Sequence, residues 1–142
     1  MHKPAEVARA FMIESEVDLQ VAKVTFENKI YCRTIFSAQQ CMEKIVKGAL
    51  AAKGIFTTDH HISSLFSAVY SQEMPEMDKL VAAIDSLEQY GARARFPLYR
   101  RGDLPIWIPS REYGETHAMN ALKKAELVFE TLKPDLEKKF PG

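Results

Sequence analysis

Apolar residues recur along most of this chain at alternating spacings of three and four, without the sustained period-two alternation that is found in strands. The clearest stripe consists of Ile35, Ala38, Met42, Ile45, Ala49 and Ala52. A second stripe, near the C-terminus, consists of Ala118, Leu122, Ala125, Phe129, Leu132 and Leu136. A helix that buries one face in a bundle shows this spacing. The pattern therefore predicts an all-α fold.

The same periodicity, together with capping signals, predicts where the helices lie. We expect helices over residues 4–28, 31–53, about 62–69, about 77–87 and from 109 onward. The predicted architecture is an antiparallel up-and-down bundle of four long helices plus one short helix. Because 142 residues suffice for one ordinary hydrophobic core, we expect a single domain over residues 1–142.

Glycine and proline give the sharpest expectations about helix ends. Pro4 suits a first helical turn, where its missing N–H does no harm, and Gly54 suits the residue that ends the second helix. Pro109 should open the last helix. Pro134 should then kink that helix or end it near Lys133.

Composition excludes several classes of function. The formal net charge is zero, so no global basic field attracts nucleic acid, and any such site must be local. The chain has no run of eighteen apolar residues, and its first residues lack a signal-peptide block, so we expect a cytoplasmic protein without a membrane span. Cys32 and Cys41 fall on opposite faces of one helix and are expected to be buried thiols. We predict no cofactor and no metal site.

Arginines cluster in the long irregular connection before the last helix. Five of the seven arginines lie between residues 93 and 111, interleaved with aromatic residues. Guanidinium groups grip phosphates, and aromatic rings stack on unpaired bases. The predicted nucleotide- or RNA-binding residues are Arg93, Arg95, Tyr99, Arg100 and Arg101. The alternative is that Phe96 and Trp107 pack the loop onto the bundle while the arginines remain solvated.

Polar residues interrupt the apolar rhythm of the second helix. Glu43 and Lys47 are four apart with the acid first, the favourable order for a helix-surface ion pair. Gln40 neighbours Glu43 on the same surface, and His60 follows after a short connection. If a neighbouring helix half-buries these residues, they need hydrogen-bond partners. We therefore expect Gln40, Glu43, Lys47 and His60 to form a structural polar cluster or a solvated face, and a substrate-binding role is the alternative.

Four motifs follow one another along the chain in a distinctive order: VDLQVAK at 17–23, IFSAQQCMEKIVKGALAAKG at 35–54, HHISSLF at 60–66 and ARARFP at 92–97. In this order they resemble the motifs of the HEPN domain family, which comprises small helical proteins of prokaryotes. Phe96 stands where that family usually has a tyrosine, so a hydroxyl contact is lost there. The resemblance implies a four-to-five-helix bundle that forms a homodimer. It also implies a minimal nucleotidyltransferase as the partner protein, in a pair of the toxin–antitoxin type.

The ribonuclease members of that family carry an arginine, four to six residues, and then a histidine near the start of a late helix. Arg111 and His117 match this spacing. Histidine can move protons to and from a ribose hydroxyl, and arginine can stabilise charge on the phosphate, without a metal. However, on one continuous helix the two side chains would point about 120° apart. In addition, the carboxylate of Glu112 would repel phosphate.

From the sequence, the preferred function is a dimeric protein that binds nucleotide or RNA through its arginine-rich loop. One alternative is a metal-independent ribonuclease that uses Arg111 and His117. The other is a structural interaction module without catalysis. For the dimer, we expect wide apolar faces on the first and last helices, at Phe11, Met12, Met119 and Phe129.

Overall fold

The computed structural model describes residues 2–141 and contains six α-helices within that range. They are α1 (Pro4–Glu27), α2 (Tyr31–Ala52), α3 (Ser63–Tyr70), α4 (Met77–Glu88), α5 (Pro109–Glu112) and α6 (Glu115–Lys139), with a 3₁₀ turn at Gly91–Ala94. The described residues form no strand beyond a single bridge between Leu98 and Trp107. The predicted all-α bundle is therefore confirmed, with α1, α2, α4 and α6 as its main helices and α3 as the short one. The single turn of α5 is an addition.

Helix α2 lies at the centre of the bundle, because apolar residues occur on almost every side of it. It packs against α1, α6 and α4, and its Ile35, Ile45 and Leu50 are fully buried. Burying a side chain of that size stabilises the fold by about 1.5–3 kcal/mol. At Gly48, α1 comes so close that an added Cβ would lie 3.2 Å from the Ala8 carbonyl oxygen. Glycine at this position permits that close approach of the two helices.

The end of α2 follows the prediction. Gly54 has φ +79°, in the left-handed region that glycine adopts without steric cost. Its N–H donates to the Ala51 carbonyl at 2.8 Å, and the Ile55 N–H donates to the Leu50 carbonyl at 2.9 Å. These two bonds satisfy carbonyl groups that the helix end leaves without helical partners.

Of the two outcomes expected at Pro134, an end of the last helix near Lys133 is not observed. Helix α6 runs through Pro134 to Lys139. Pro134 is exposed, so water can satisfy the carbonyl that lacks a helical donor, while buried Leu132 and Leu136 hold the helix against the core on either side.

The start of the last helix is also different from the expected one. The helix that opens at Pro109 ends after one turn at Glu112, and the backbone is extended at Tyr113 and Gly114 before α6 begins. The prediction of one continuous helix from Pro109 is therefore wrong. Arg111 and His117 consequently lie on two separate helices, and the angle expected for one helix does not apply to them.

The apolar surface lies elsewhere than expected. Phe129 is buried in the core of the chain, and Phe11, Met12 and Met119 are half-buried. The outer face of α1 instead exposes a stripe formed by Ile13, Val17, Val21 and Val24, which we call the α1 stripe. In the described part of the chain, no helix combines the length and the apolar character that a membrane crossing needs.

Candidate functional site

The arginine-rich connection folds back on itself as a hairpin. Leu98 and Trp107 exchange backbone hydrogen bonds of 3.1 and 3.0 Å, and the residues between them project as a loop. The Trp107 indole N–H donates to the Arg93 carbonyl at 2.8 Å, which ties the hairpin to the 3₁₀ turn. The ring of Trp107 also meets that of Tyr113 edge-on at 5.8 Å. Trp107 therefore anchors this loop on the bundle.

A groove of about 900 Å³ runs along this hairpin, and we call it the arginine groove. Arg93, Arg100 and Arg101 line it together with apolar and aromatic side chains, among them Phe96, Leu98, Tyr99, Leu104 and Trp107. The Arg93 guanidinium lies over the Trp107 ring, 5.7 Å from its centre. Tyr99 is 72% exposed, so its ring is available for stacking.

The charge of the groove is positive. Arg101 makes a two-pronged contact with the Asp103 carboxylate at 3.2 and 2.7 Å, and this hydrogen bonding lowers the pKa of Asp103. Neither Arg93 nor Arg100 has a carboxylate within ion-pair distance among residues 2–141. Two arginines thus remain without an acidic partner, beside exposed aromatic rings.

Arg95 does not join the other arginines. It lines a separate cavity of about 350 Å³, which we call the polar cavity, together with Gln39, Gln40, Glu43, His60, His61 and Glu88. The Arg95 guanidinium lies 5.9 Å from the centres of the Phe36 and Phe96 rings. The five predicted binding residues are therefore divided, with Arg95 in one site and Arg93, Tyr99, Arg100 and Arg101 in the other.

The residues of the expected polar cluster come together at the polar cavity. His60 Nδ1–H donates to Glu43 Oε1 at 2.8 Å, and Lys47 Nζ lies 3.6 Å from Glu43 Oε2. Gln40 lines the cavity next to Glu43 and is half-buried. Glu43 thus links α2 to the connection between α2 and α3, which positions His60 at the mouth of the cavity.

Sequence reasoning missed two buried polar residues in the wall of this cavity. Glu88 Oε1 accepts hydrogen bonds from the Ile62 and Ser63 N–H groups at 2.7 and 2.9 Å, so this carboxylate caps the start of α3. Burial raises the pKa of Glu88, and the two backbone hydrogen bonds oppose that rise. Gln39 donates from Nε2 to the Leu87 carbonyl at 3.1 Å. A signal was present, because Glu88 lies four residues after Ile84, on the apolar face of α4.

Arg111 and His117 lie on two consecutive helices, which Tyr113 and Gly114 join. Arg111 is exposed on α5. His117 Nδ1 accepts the Gly114 N–H at 3.2 Å, which caps the start of α6, and its ring meets Tyr113 edge-on at 5.6 Å. One ring nitrogen of His117 is therefore engaged in holding the helix end.

Within residues 2–141, no group of three or more His, Cys, Asp or Glu side chains is placed so that it could hold a metal ion. Both cysteines are buried, as expected. Burial raises the pKa of the Cys41 thiol to about 12, and Ser15 Oγ donates to the Cys41 carbonyl at 2.7 Å. Cys41 is therefore a packing residue between α1 and α2.

Comparison with protein families and with known proteins gives matches over most of the chain. A family model described as the HEPN domain matches residues 8–136. The candidate toxin MJ1304 of Methanocaldococcus jannaschii is 34% identical over 139 residues, which covers 94% of this chain and 90% of that protein.

Two solved structures are also similar. The crystal structure of ST0689, described as an archaeal HEPN homologue, has a TM-score of 0.71 at 23% identity, over 96% of this chain and 99% of that one. The crystal structure of TT1696 from Thermus thermophilus has a TM-score of 0.75 at 25% identity, over 93% of this chain and 97% of that one.

Proposed function

Because this chain belongs to the HEPN domain family, we propose that it is a binding protein of a toxin–antitoxin-like pair, whose arginine groove holds nucleotide or single-stranded RNA. The relative that is named as a candidate toxin supports the paired setting. The partner protein in this proposal is a minimal nucleotidyltransferase, and the pair acts in the cytoplasm.

The observation that carries the proposal is the pairing of unneutralised guanidinium groups with exposed rings in the arginine groove. Arg93 and Arg100 lack acidic partners among the described residues, and Tyr99 presents a free ring face beside them. Guanidinium groups without an acidic partner bind phosphate, and an exposed ring stacks on an unpaired base. Because the net charge of the chain is zero, no global basic field adds to these contacts, and we expect the salt dependence of binding to be set by the groove arginines alone.

The geometry favours binding over cleavage by Arg111 and His117. The two residues lie on separate helices, and the Nδ1 atom of His117 accepts a backbone hydrogen bond. A proton-transfer role needs the histidine within hydrogen-bond reach of the reacting hydroxyl while arginine meets the phosphate. We therefore propose binding as the function, and an assay of RNA cleavage tests the alternative role of this pair.

The test removes charge from the groove without removing bulk. The variant carries Arg93→Gln, Arg100→Gln and Arg101→Gln, and binding of fluorescein-labelled hexauridylate is followed by anisotropy at several salt concentrations. We expect weaker binding at low salt and a slope of log Kd against log salt that is shallower by about 2, since each single-strand phosphate contact contributes about 0.7.

The matched control loses the same charge elsewhere. It carries Lys23→Gln, Lys123→Gln and Lys138→Gln, three exposed lysines on α1 and α6. This control should bind like the parent. Equal binding by the parent and the groove variant, or no binding by the parent at low salt, would show that the groove is only a structural loop.

We also propose that the protein is a homodimer and that the α1 stripe forms its interface. The four side chains of the stripe are between 42% and 56% exposed on one face of the helix. An apolar stripe that continues over several helical turns usually marks an interaction surface. Because each copy carries the same stripe, an isologous two-fold contact would cover both at once.

A further inference from the structure

The hairpin before the last helices concentrates exposed apolar side chains. Five of the twelve large apolar side chains that are exposed among the described residues lie between residues 96 and 106. They are Phe96, Leu98, Tyr99, Leu104 and Ile106. Leu104 and Ile106 are 55% and 61% exposed, although both are aliphatic. Exposed apolar side chains gathered in one place mark an interaction surface more often than isolated ones do.

The RNA proposed for the arginine groove does not account for the aliphatic part of this surface. Arginines and aromatic rings suit phosphates and bases. Leu98, Leu104 and Ile106, in contrast, have no flat face on which a base could stack. Contact with the polar sugar and phosphate groups of a strand would leave their apolar surface without an apolar partner. A partner that covers these three side chains must therefore carry large apolar groups of its own, as a protein does.

We propose that the hairpin docks an amphipathic helix of another protein, with apolar side chains on one face and carboxylates beside them. The apolar face of that helix lies against Leu98 and Leu104, and its carboxylates meet Arg93 and Arg100. This inference rests on the paired setting of the proposed function and adds the surface that holds the partner protein.

The charges of the hairpin determine the acidic character of the helix. Neither Arg93 nor Arg100 has a carboxylate within ion-pair distance among residues 2–141, whereas Arg101 is already paired with Asp103. Residues 93–107 contain four arginines and no lysine. Arginine, tyrosine, phenylalanine and tryptophan are enriched in protein interfaces, and lysine is depleted. The composition of the hairpin therefore matches a protein interface with positive charge.

The backbone of the hairpin favours a helix over an added strand. A strand that joins a sheet edge needs a run of free N–H and C=O groups on that edge. Here the only ladder pair among the described residues is the one between Leu98 and Trp107, and Pro97 and Pro105 lack an N–H close to it. The arginine groove, with a volume of about 900 Å³, instead offers room for apolar side chains that project from one face of a helix.

The experiment uses three fluorescein-labelled helical peptides of about 18 residues, which corresponds to about five helical turns. The first carries leucines along one face and glutamates beside them. The second has lysine in place of each glutamate, and the third has serine in place of each leucine. Anisotropy with the parent chain gives the Kd of each. We expect the first peptide to bind about tenfold more tightly than the other two, because it alone meets both the apolar side chains and the arginines.

Two variants divide the surface into its apolar and its charged part. Leu104→Ser with Ile106→Ser should weaken binding of the first peptide by about tenfold, since two apolar contacts are lost. Arg93→Gln with Arg100→Gln should reduce the preference for the glutamate peptide over the lysine peptide to about twofold or less. The matched control is Phe56→Ser, because Phe56 is 59% exposed in the connection between α2 and α3. This control should bind the first peptide like the parent. Circular dichroism shows that each variant is folded.

The outcomes separate this inference from the proposed function. If the parent binds hexauridylate but not the first peptide, or binds the glutamate and lysine peptides equally, the docking surface is refuted while RNA binding stands. If the parent binds the peptide but no RNA, the docking surface stands and the proposed ligand of the groove fails. Because Arg93 and Arg100 belong to both sites, the first peptide should displace hexauridylate, and simultaneous binding would contradict the proposal.

Light scattering tests whether a second copy of this chain occupies the surface instead. Leu104→Ser with Ile106→Ser should leave the mass of the parent unchanged. A lower mass for this variant would show that the hairpin covers another copy, and the proposed helix of a different protein would then be wrong.

Discussion

Replacing Glu88 tests how a buried carboxylate supports both the fold and the wall of the polar cavity. The Glu88 side chain is only 4% exposed, and it accepts the N–H groups of Ile62 and Ser63 at the start of α3. The structure gives α3 no capping side chain at its own N-cap position, Ile62. Glu88 on α4 therefore takes over the capping role from outside the helix.

The magnitude follows from what Glu88→Ala leaves behind. The Ile62 N–H becomes a buried donor without a partner, which costs about 1–3 kcal/mol. The Ser63 N–H is half-buried, so water recovers part of its bond and its loss costs less. We expect a total loss of about 2–4 kcal/mol in the free energy of unfolding. For a chain of this size, that corresponds to a fall in Tm of about 5–15 °C.

Glu88→Gln is the matched control, because the amide oxygen can still accept both N–H groups. The carboxylate loses its charge-assisted bonds in this variant, but the fold no longer buries a charge. We expect the free energy of unfolding to change by less than about 1 kcal/mol at pH 7.

The parent and Glu88→Gln also differ in how their stability depends on pH. Burial raises the pKa of Glu88 above its ordinary 4.5, so the folded chain binds this proton more tightly than the unfolded chain does. The Glu88 contribution to stability is complete below the unfolded pKa and is lost as pH rises through the folded pKa. The parent should therefore gain stability relative to Glu88→Gln as pH falls from 7 to about 4.5.

Urea denaturation at pH 7 and pH 5, followed by circular dichroism, gives the required free energies for the parent and both variants. A loss below about 0.5 kcal/mol in Glu88→Ala would contradict the capping role. An equal loss in Glu88→Gln and Glu88→Ala would show that the charge, and not the acceptor, supports α3. A difference between the parent and Glu88→Gln that does not change with pH would contradict the sign of the pKa shift.

Three further predictions concern other parts of the molecule. Neither the parent nor His117→Ala should cleave single-stranded RNA with EDTA present, and cleavage by the folded parent that His117→Ala abolishes would favour the ribonuclease. His117→Ala should also lose about 0.5–2 kcal/mol in the free energy of unfolding, because the bond that caps α6 is lost. His117→Gln should restore this loss, since its side chain can cap the helix in the same way. Val17→Glu with Val21→Glu should convert a dimer into a monomer in light scattering, whereas Leu127→Glu on α6 should not, and a monomeric parent would refute the interface. Because the pKa of Cys41 is raised to about 12, iodoacetamide at pH 8 should label Cys41 only after unfolding in urea, as peptide mapping can show.

The helices could be predicted closely because their apolar stripes are long and regular. Helix α2 was expected over 31–53 and runs from Tyr31 to Ala52, with Gly54 ending it as its backbone freedom suggests. The error at the last helix has a local cause. Pro109 is a valid helix start, and nothing in the spacing of apolar residues shows that the chain leaves the helical conformation at Tyr113 and resumes it after Gly114.

The candidate site was less predictable because the path of its loop depends on tertiary contacts. A cluster of arginines in sequence suggested a single anion-binding surface. Arg93 lies within the 3₁₀ turn and Arg95 directly follows it, and the bond from the Trp107 indole to the Arg93 carbonyl holds the hairpin beside Arg93. A spacing of two residues cannot reveal this division, since in a strand or a flexible loop the same arginines could converge on one phosphate.

The polar residues of α2 show how far the pattern of apolar and polar positions predicts burial. Gln40 and Glu43 break the apolar rhythm visibly, and they lie at the rim of the polar cavity where partial exposure is tolerated. Gln39 and Glu88 occupy the deeper wall, and both are held by backbone groups of distant segments. A buried glutamine or glutamate is tolerated only where such partners exist, because a buried polar group without a hydrogen bond costs more free energy than one hydrogen bond contributes. Gln39 is therefore held by its bond to the Leu87 carbonyl, a contact that the spacing of apolar residues along α2 does not predict.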